Sequence, residues 1–183
     1  MTYSHITQPL IFSDLVVSAL LRGKERIPET MIENLSRLEK HWRDIEFELK
    51  FEITERCNLN CSFCHQEFGK KNNCCADFSL SDFKNIIDRA KIEKQIKYIR
   101  ITGGEPTLHP HVGNFLQYAT EAGFHTVLNT NAMQLSPQKI EDLAPYVGTW
   151  KVSLPAADEA GTDAATSVPG TWNEKITSLE ILR

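Results

Sequence analysis

Two apolar periodicities follow one another along this chain. Up to residue 44 apolar side chains recur at helical spacing. Ser13 as N-cap and Gly23 as stop bracket a first helix, and Pro28 stands at the head of a second whose stripe is Met31, Ile32, Leu35, Leu38 and Trp42. This pattern predicts an N-terminal helical segment over residues 1–44 that serves as packing surface and carries no chemistry. From residue 45 the spacing changes to strict alternation, Ile45-Glu46-Phe47-Glu48-Leu49-Lys50-Phe51-Glu52-Ile53, which is a strand with one apolar and one charged face.

Strands and helices then take turns. Ser79 and Asp82 have capping-box spacing ahead of a stripe of Phe83, Ile86, Ile87 and Ala90, followed by a strand over 97–102. A helix over 112–122 closes at Gly123, a strand covers 125–129, Ser136 and Pro137 open another helix, and a strand covers 150–154. Residues 155–170, rich in Ala, Gly, Thr and Asp, read as a loop leading to a last helix with Thr171 and Glu174 at capping-box spacing. The expected fold is α/β: a parallel sheet in an incomplete (βα) barrel of about four units over residues 45–183, because parallel neighbours need helical crossovers.

In such folds the chemistry gathers at the carboxyl ends of the strands. Cys57, the run Gly103 to Pro106, Asn129 to Asn131, and Ser153 occupy four such ends. Side-chain parity adds a second constraint. If Phe47, Leu49, Phe51, Ile53, Ile99, Ile101, Trp150, Val152 and Leu154 face the helices, then Lys50, Arg100, Asn129, Lys151 and Ser153 face the lumen. A polar lumen suits a ligand-filled, incompletely closed barrel.

Composition narrows the function. The chain has 183 residues, 41% of them hydrophobic, enough for one domain with a core. A net charge of −4 gives no footprint for a phosphate backbone, so a small molecule or peptide is a better expected partner than nucleic acid. The apolar stretch from Leu10 to Leu21 is interrupted by Asp14 and too short to span a bilayer, and there is no basic leader, so a cytoplasmic location is expected. All five cysteines lie between Cys57 and Cys75, a poor layout for disulfides and a good one for metal.

Cys57-Asn58-Leu59-Asn60-Cys61-Ser62-Phe63-Cys64 puts three thiols on one loop. Thiolates favour zinc or an iron–sulfur cluster. Zinc remains open on spacing alone, since His65, Cys74 or Cys75 could complete a tetrahedral set. The adjacent Cys74 and Cys75 are poorly disposed to ligate one metal together and read as bystanders. His109 and His111, flanking Pro110, suit turn or capping roles.

The C-x3-C-x2-C run with an aromatic before its last cysteine, together with Gly103-Gly104-Glu105-Pro106, resembles the signature pair of the radical SAM superfamily. The resemblance implies a partial barrel in which Cys57, Cys61 and Cys64 hold a [4Fe–4S] cluster and one open iron takes S-adenosylmethionine. Its reductive cleavage gives methionine and a 5′-deoxyadenosyl radical that removes hydrogen from substrate. By the same resemblance Phe63, Gly103, Gly104, Glu105, Asn129 and Ser153 contact S-adenosylmethionine, with Glu105 accepting from its α-ammonium group. It also implies an electron-donor protein such as flavodoxin or ferredoxin.

Within the superfamily, Cys64-His65-Gln66-Glu67 and the run Arg100 to Pro106 resemble the GTP 3′,8-cyclases of molybdenum-cofactor synthesis, which implies that Arg100 and Asn129 lie near a substrate nucleotide; by strand parity Lys50 and Lys151 share a basic substrate lumen with Arg100. Lys50 replaces the usual arginine, Asn129-Thr130-Asn131-Ala132 replaces a Thr-Thr-Asn-Gly run, Pro155 replaces an aspartate, and no cysteine follows Cys75. The Gly-Gly-Glu-Pro-Thr run followed by His109-Pro110 is shared with peptide-modifying maturases, a second enzyme reading. A non-catalytic iron–sulfur module is a third. The resemblance ends where strands five and six would begin, so an open barrel edge covered by a second copy or another chain is expected.

Overall fold

The computed structural model describes residues 46–64 and 77–183, together with Arg37. The second of two compact units runs from Glu46 to Arg183 and contains the whole sheet. The two helices expected before residue 44, and His65, Cys74 and Cys75, lie outside the described residues.

Four parallel strands pair in chain order: β1 (Phe47–Glu52), β2 (Ile96–Thr102), β3 (His125–Thr130) and β4 (Thr149–Val152). Helices α1 (Leu80–Ala90), α2 (Val112–Glu121) and α3 (Pro137–Leu143) cross between them, with short 3-10 turns at Pro106–Leu108 and Ala144–Tyr146. This is the expected partial (βα) barrel. The capping residues act as predicted: Ser79 Oγ accepts the Asp82 N–H, and Ser136 Oγ accepts the Lys139 N–H with Pro137 at the first helical position.

Parity places the core. Phe51, Ile53, Ile99, Ile101 and Leu128 face α1 and α2, where Phe83, Ile87, Phe115 and Leu116 are fully buried. Phe83 stands edge-on to both Phe51 and Phe115, with ring centroids 4.7 and 4.8 Å apart. The apolar face is not buried at its extremities. Phe47 at the start of β1 is 41% exposed, and Leu154 is 42% exposed because β4 ends at Val152 and the chain turns away.

The stretch read as a loop over 155–170 contains a helix, α4 (Glu159–Thr166). Asp158 caps it by accepting the Gly161 N–H, and Ser167 ends it in the left-handed region at φ 58°. Apolar periodicity could not reveal this helix because its buried face is made of Thr162 and Thr166. The last helix, α5 (Thr171–Leu182), is also entered differently from expectation. Gly170 is its N-cap at φ 77°, and Asp163 of α4 takes the N–H groups of Gly170 and Trp172 and the Thr171 hydroxyl. A carboxylate from the preceding helix thus replaces the local capping box.

Candidate active site

The cluster loop hangs between three parts of the fold. At its entrance, the Gly104 N–H donates to Thr54 O at 2.8 Å and the Glu105 N–H to Arg56 O at 2.7 Å. A Cβ at Gly103 or Gly104 would run into the backbone of Thr54 or Arg56, and Gly103 has φ 137°. The two glycines therefore let the end of β2 lie against the chain entering the loop. Their close approach is to protein backbone, where the sequence suggested a ligand.

The far side of the loop rests on the C-terminal end of α4. Asn60 N–H donates to Thr166 O, and Ser62 donates to Ala165 O through both its N–H and its hydroxyl. These are the carbonyls a helix terminus leaves free, so α4 and the cysteine loop satisfy each other's backbone. Arg56, next to Cys57, pairs with Asp77 at 2.5 Å, and Asp77 also accepts from Thr54. Partial burial pushes the Asp77 carboxyl upward, but Thr54, Arg56 and His109 outweigh it and hold it below the usual carboxylate range.

Glu105 is completely buried. Its Oε1 accepts from the Thr107 N–H (3.1 Å), the Thr107 hydroxyl (2.6 Å) and the Thr130 hydroxyl (2.8 Å), and its Oε2 accepts the Asn131 N–H at 2.6 Å. The described donors to this side chain all come from the protein itself. With no atom open to solvent, the carboxylate is an internal strut joining the ends of β2 and β3.

Asn131, which the sequence placed at the end of β3 without a role of its own, reaches the cluster loop. Its Nδ2 donates to Asn58 Oδ1 at 2.7 Å and lies 4.0 Å from Cys57 Sγ. Lys175 on α5 was not foreseen either, because a lysine on a terminal helix looks like solvated surface. It is 1% exposed, and its Nζ donates to Asn131 O at 2.6 Å and Ser153 O at 3.0 Å.

Cys57, Cys61 and Cys64 are free and half-buried. Burial pushes the Cys57 and Cys61 thiols up; the other two cysteines and Glu105 add to this at Cys57, while the positive charge of Lys175 opposes it at Cys61. Among the described residues no three His, Cys, Asp or Glu side chains are close enough to hold a single ion. Cys57, Cys61 and Cys64 are three free thiols within one eight-residue loop, the donor chemistry of a cluster that takes each thiolate on a different iron. The donor set therefore fits a [4Fe–4S] cluster.

On the lumen face, Arg100 lies opposite Ile99 and Ile101, beside Lys50 of β1 in the register. Its guanidinium makes a two-point contact with Glu48, Nε to Oε1 at 2.7 Å and Nη2 to Oε2 at 2.6 Å, and donates to Asn129 Oδ1 at 3.1 Å. The hydrogen bond from Arg100 holds the Glu48 carboxyl below its usual range. Lys50 pairs with Glu52 at 2.7 Å, and Lys151 sits beside Asn129 in the register between β3 and β4. The lumen is thus a mosaic of both charges, which corrects the expectation of a basic one. Asn129 spends its carbonyl oxygen on Arg100, whereas Phe63, 59% exposed, and Ser153 remain open.

The fold and site define a class, and comparison with known proteins agrees. Residues 51–183 match the model of the radical SAM superfamily, and the chain belongs to that family. It is 32% identical over 137 residues to an AdoMet-dependent heme synthase of Methanosarcina barkeri, covering 74% of this chain and 38% of the relative. It is 31% identical over 136 residues to the mycofactocin maturase MftC of Mycobacterium tuberculosis, covering 73% and 34%. Streptococcus suis SuiB bound to its precursor peptide SuiA superposes with a TM-score of 0.62 at 21% identity, covering 92% of this chain and 41% of that one. This chain therefore spans 41% or less of the length of these three relatives.

Proposed function

We propose that this chain supplies the cluster-and-S-adenosylmethionine part of a radical SAM enzyme that modifies a peptide. Cys57, Cys61 and Cys64 would hold the cluster; Phe63, Ser153 and the backbone at Gly103 and Gly104 would line the S-adenosylmethionine site. Bound there, the two groups supply a 5′-deoxyadenosyl radical. The chain's own residues hold the site in shape: Glu105 fixes the strand ends, α4 carries the cysteine loop, and Arg100, Glu48, Asn129, Lys50 and Lys151 face the substrate.

The Arg100–Glu48 pair is the observation that favours a peptide. A substrate triphosphate would have to displace Glu48 to reach the guanidinium, whereas a polypeptide brings donors and acceptors of both kinds. The similarity to MftC and SuiB supports this reading, and it outranks a GTP cyclase-like reaction on a small polar or nucleotide substrate. Among the described residues no helix is long and apolar enough to cross a membrane. A cytoplasmic location, a flavodoxin- or ferredoxin-type electron donor, and a second copy or another chain at the β4 edge are part of the same proposal.

The test is deuterium transfer. Anaerobically reconstituted protein is given S-adenosylmethionine, dithionite and either a perdeuterated peptide pool or deuterated GTP, and the 5′-deoxyadenosine formed is weighed by mass spectrometry. Deuterium from the peptide pool alone is expected. Transfer from GTP alone contradicts the peptide reading, and absence of 5′-deoxyadenosine in every sample contradicts the enzyme.

A further inference from the structure

Among the described residues no other lysine or arginine is buried as Lys175 is. Its Nζ is held by two carbonyl oxygens, and no described carboxylate lies within ion-pair distance. Burying a lysine without an ion partner is costly. Burial pushes the Lys175 ammonium below the usual lysine range, and the negative charges of Cys61, Glu105 and Cys57 act against that push. Glu105 acts on the Cys57 side, with all its acceptor strength turned toward its own strand ends. Lys175 is thus a buried cation that reaches the cysteine loop through one residue, Asn131, whose side chain bonds Asn58 and lies 4.0 Å from Cys57 Sγ.

We propose that Lys175 is a built-in counter-charge that raises the reduction potential of the [4Fe–4S] cluster held by Cys57, Cys61 and Cys64. The inference rests on the cluster reading above. Three thiolates make the oxidised cluster anionic, and one-electron reduction adds a further negative charge. A fixed positive charge in a water-poor setting stabilises the reduced form more than the oxidised one. Lys175 touches neither substrate nor reacting atoms; it is a tuning residue. The side-chain amide of Asn131, whose backbone carbonyl holds Lys175, lies 4.0 Å from Cys57 Sγ and acts in the same direction as a donor to sulfur.

The experiment is a redox titration of the reconstituted protein followed by electron paramagnetic resonance, without S-adenosylmethionine, on wild type, Lys175→Arg, Lys175→Gln and Lys175→Met. Gln keeps donors for the two carbonyls and loses the charge; Arg keeps both. Lys175→Gln and Lys175→Met are expected to lower the reduced-to-oxidised ratio at a fixed potential at least tenfold, a shift of about 59 mV for a one-electron couple. Lys175→Arg should stay close to wild type. A Lys175→Gln potential equal to wild type overturns the proposal and leaves Lys175 a structural tie. If neither neutral variant takes up iron while Lys175→Arg does, its role is assembly and the proposal is equally overturned. A wild-type protein that forms no cluster refutes the cluster reading itself, an outcome visible before any variant is compared.

Discussion

Glu105 Oε2 accepts the backbone N–H of Asn131 at 2.6 Å, across the gap between the ends of β2 and β3. Because Oε1 is filled by Thr107 and Thr130, the carboxylate faces donors on both sides. Glu105→Gln must turn an NH2 group toward one set of them. It is expected to destabilise the fold by about 1–3 kcal/mol, the cost of leaving buried donors unmatched. Urea denaturation measures this, and an unchanged midpoint would mean the strut is dispensable.

Gly104 supports a second prediction. A methyl group there meets the Arg56 carbonyl, the acceptor of the Glu105 N–H, and backbone cannot swing aside as a side chain does. Gly104→Ala should cost about 1–3 kcal/mol and reduce iron uptake, because Arg56 precedes the first cluster cysteine. Gly113→Ala on α2 is the control: its Cβ would make ordinary contact with Leu143 at 3.5 Å, and it should stabilise by about 0.5–1 kcal/mol. Equal thermal midpoints and iron contents for the two variants would refute the steric account.

Much of this architecture is written in two periodicities. The alternation around Phe51 and Ile99 fixes which face of the sheet meets the helices, so it also puts Arg100, Asn129 and Lys151 on the lumen. The cysteine spacing and Gly103-Gly104-Glu105 locate the site on strand ends. Partners are not written there. That Arg100 is paired with Glu48, that Glu105 points inward and that Lys175 is buried all depend on which chain segments meet in space. Helix α4 escaped because threonine hydroxyls form its buried face and bond back along the helix, Thr166 Oγ1 to Thr162 O at 2.9 Å. The sign that was present is Asp158, an N-cap residue ahead of Glu159 and several alanines.

His109 gives the fold a pH dependence. It is 3% exposed, its Nδ1 accepts the His111 N–H at 3.0 Å, and Nε2 has no hydrogen-bond partner among the described residues, with Asp77 Oδ2 at 3.9 Å. Burial pushes its pKa below the ordinary 6.5; Asp77 pulls upward, while His111 and Arg56 oppose protonation. Below pH 6.5 the unfolded chain therefore binds a proton that the native chain refuses. Stability should be full above that pH, fall as pH drops through it, and level off once the lower native value is passed. His109→Asn, which keeps an acceptor near the Nδ1 position, should be less stable throughout but flatter with pH. Identical slopes of the urea midpoint between about pH 5 and pH 7.5, roughly one unit or more on either side of a histidine's free value, would contradict this.

The central claim is that three thiols on one loop hold an iron–sulfur cluster, and iron and sulfide content per chain after anaerobic reconstitution tests it most directly. The account predicts about four irons with matching sulfide in the wild type, none of it retained when Cys57, Cys61 or Cys64 is changed to Ala, and full content when Cys74 or Cys75 is changed. A colourless protein that keeps one zinc through the same treatment would contradict it.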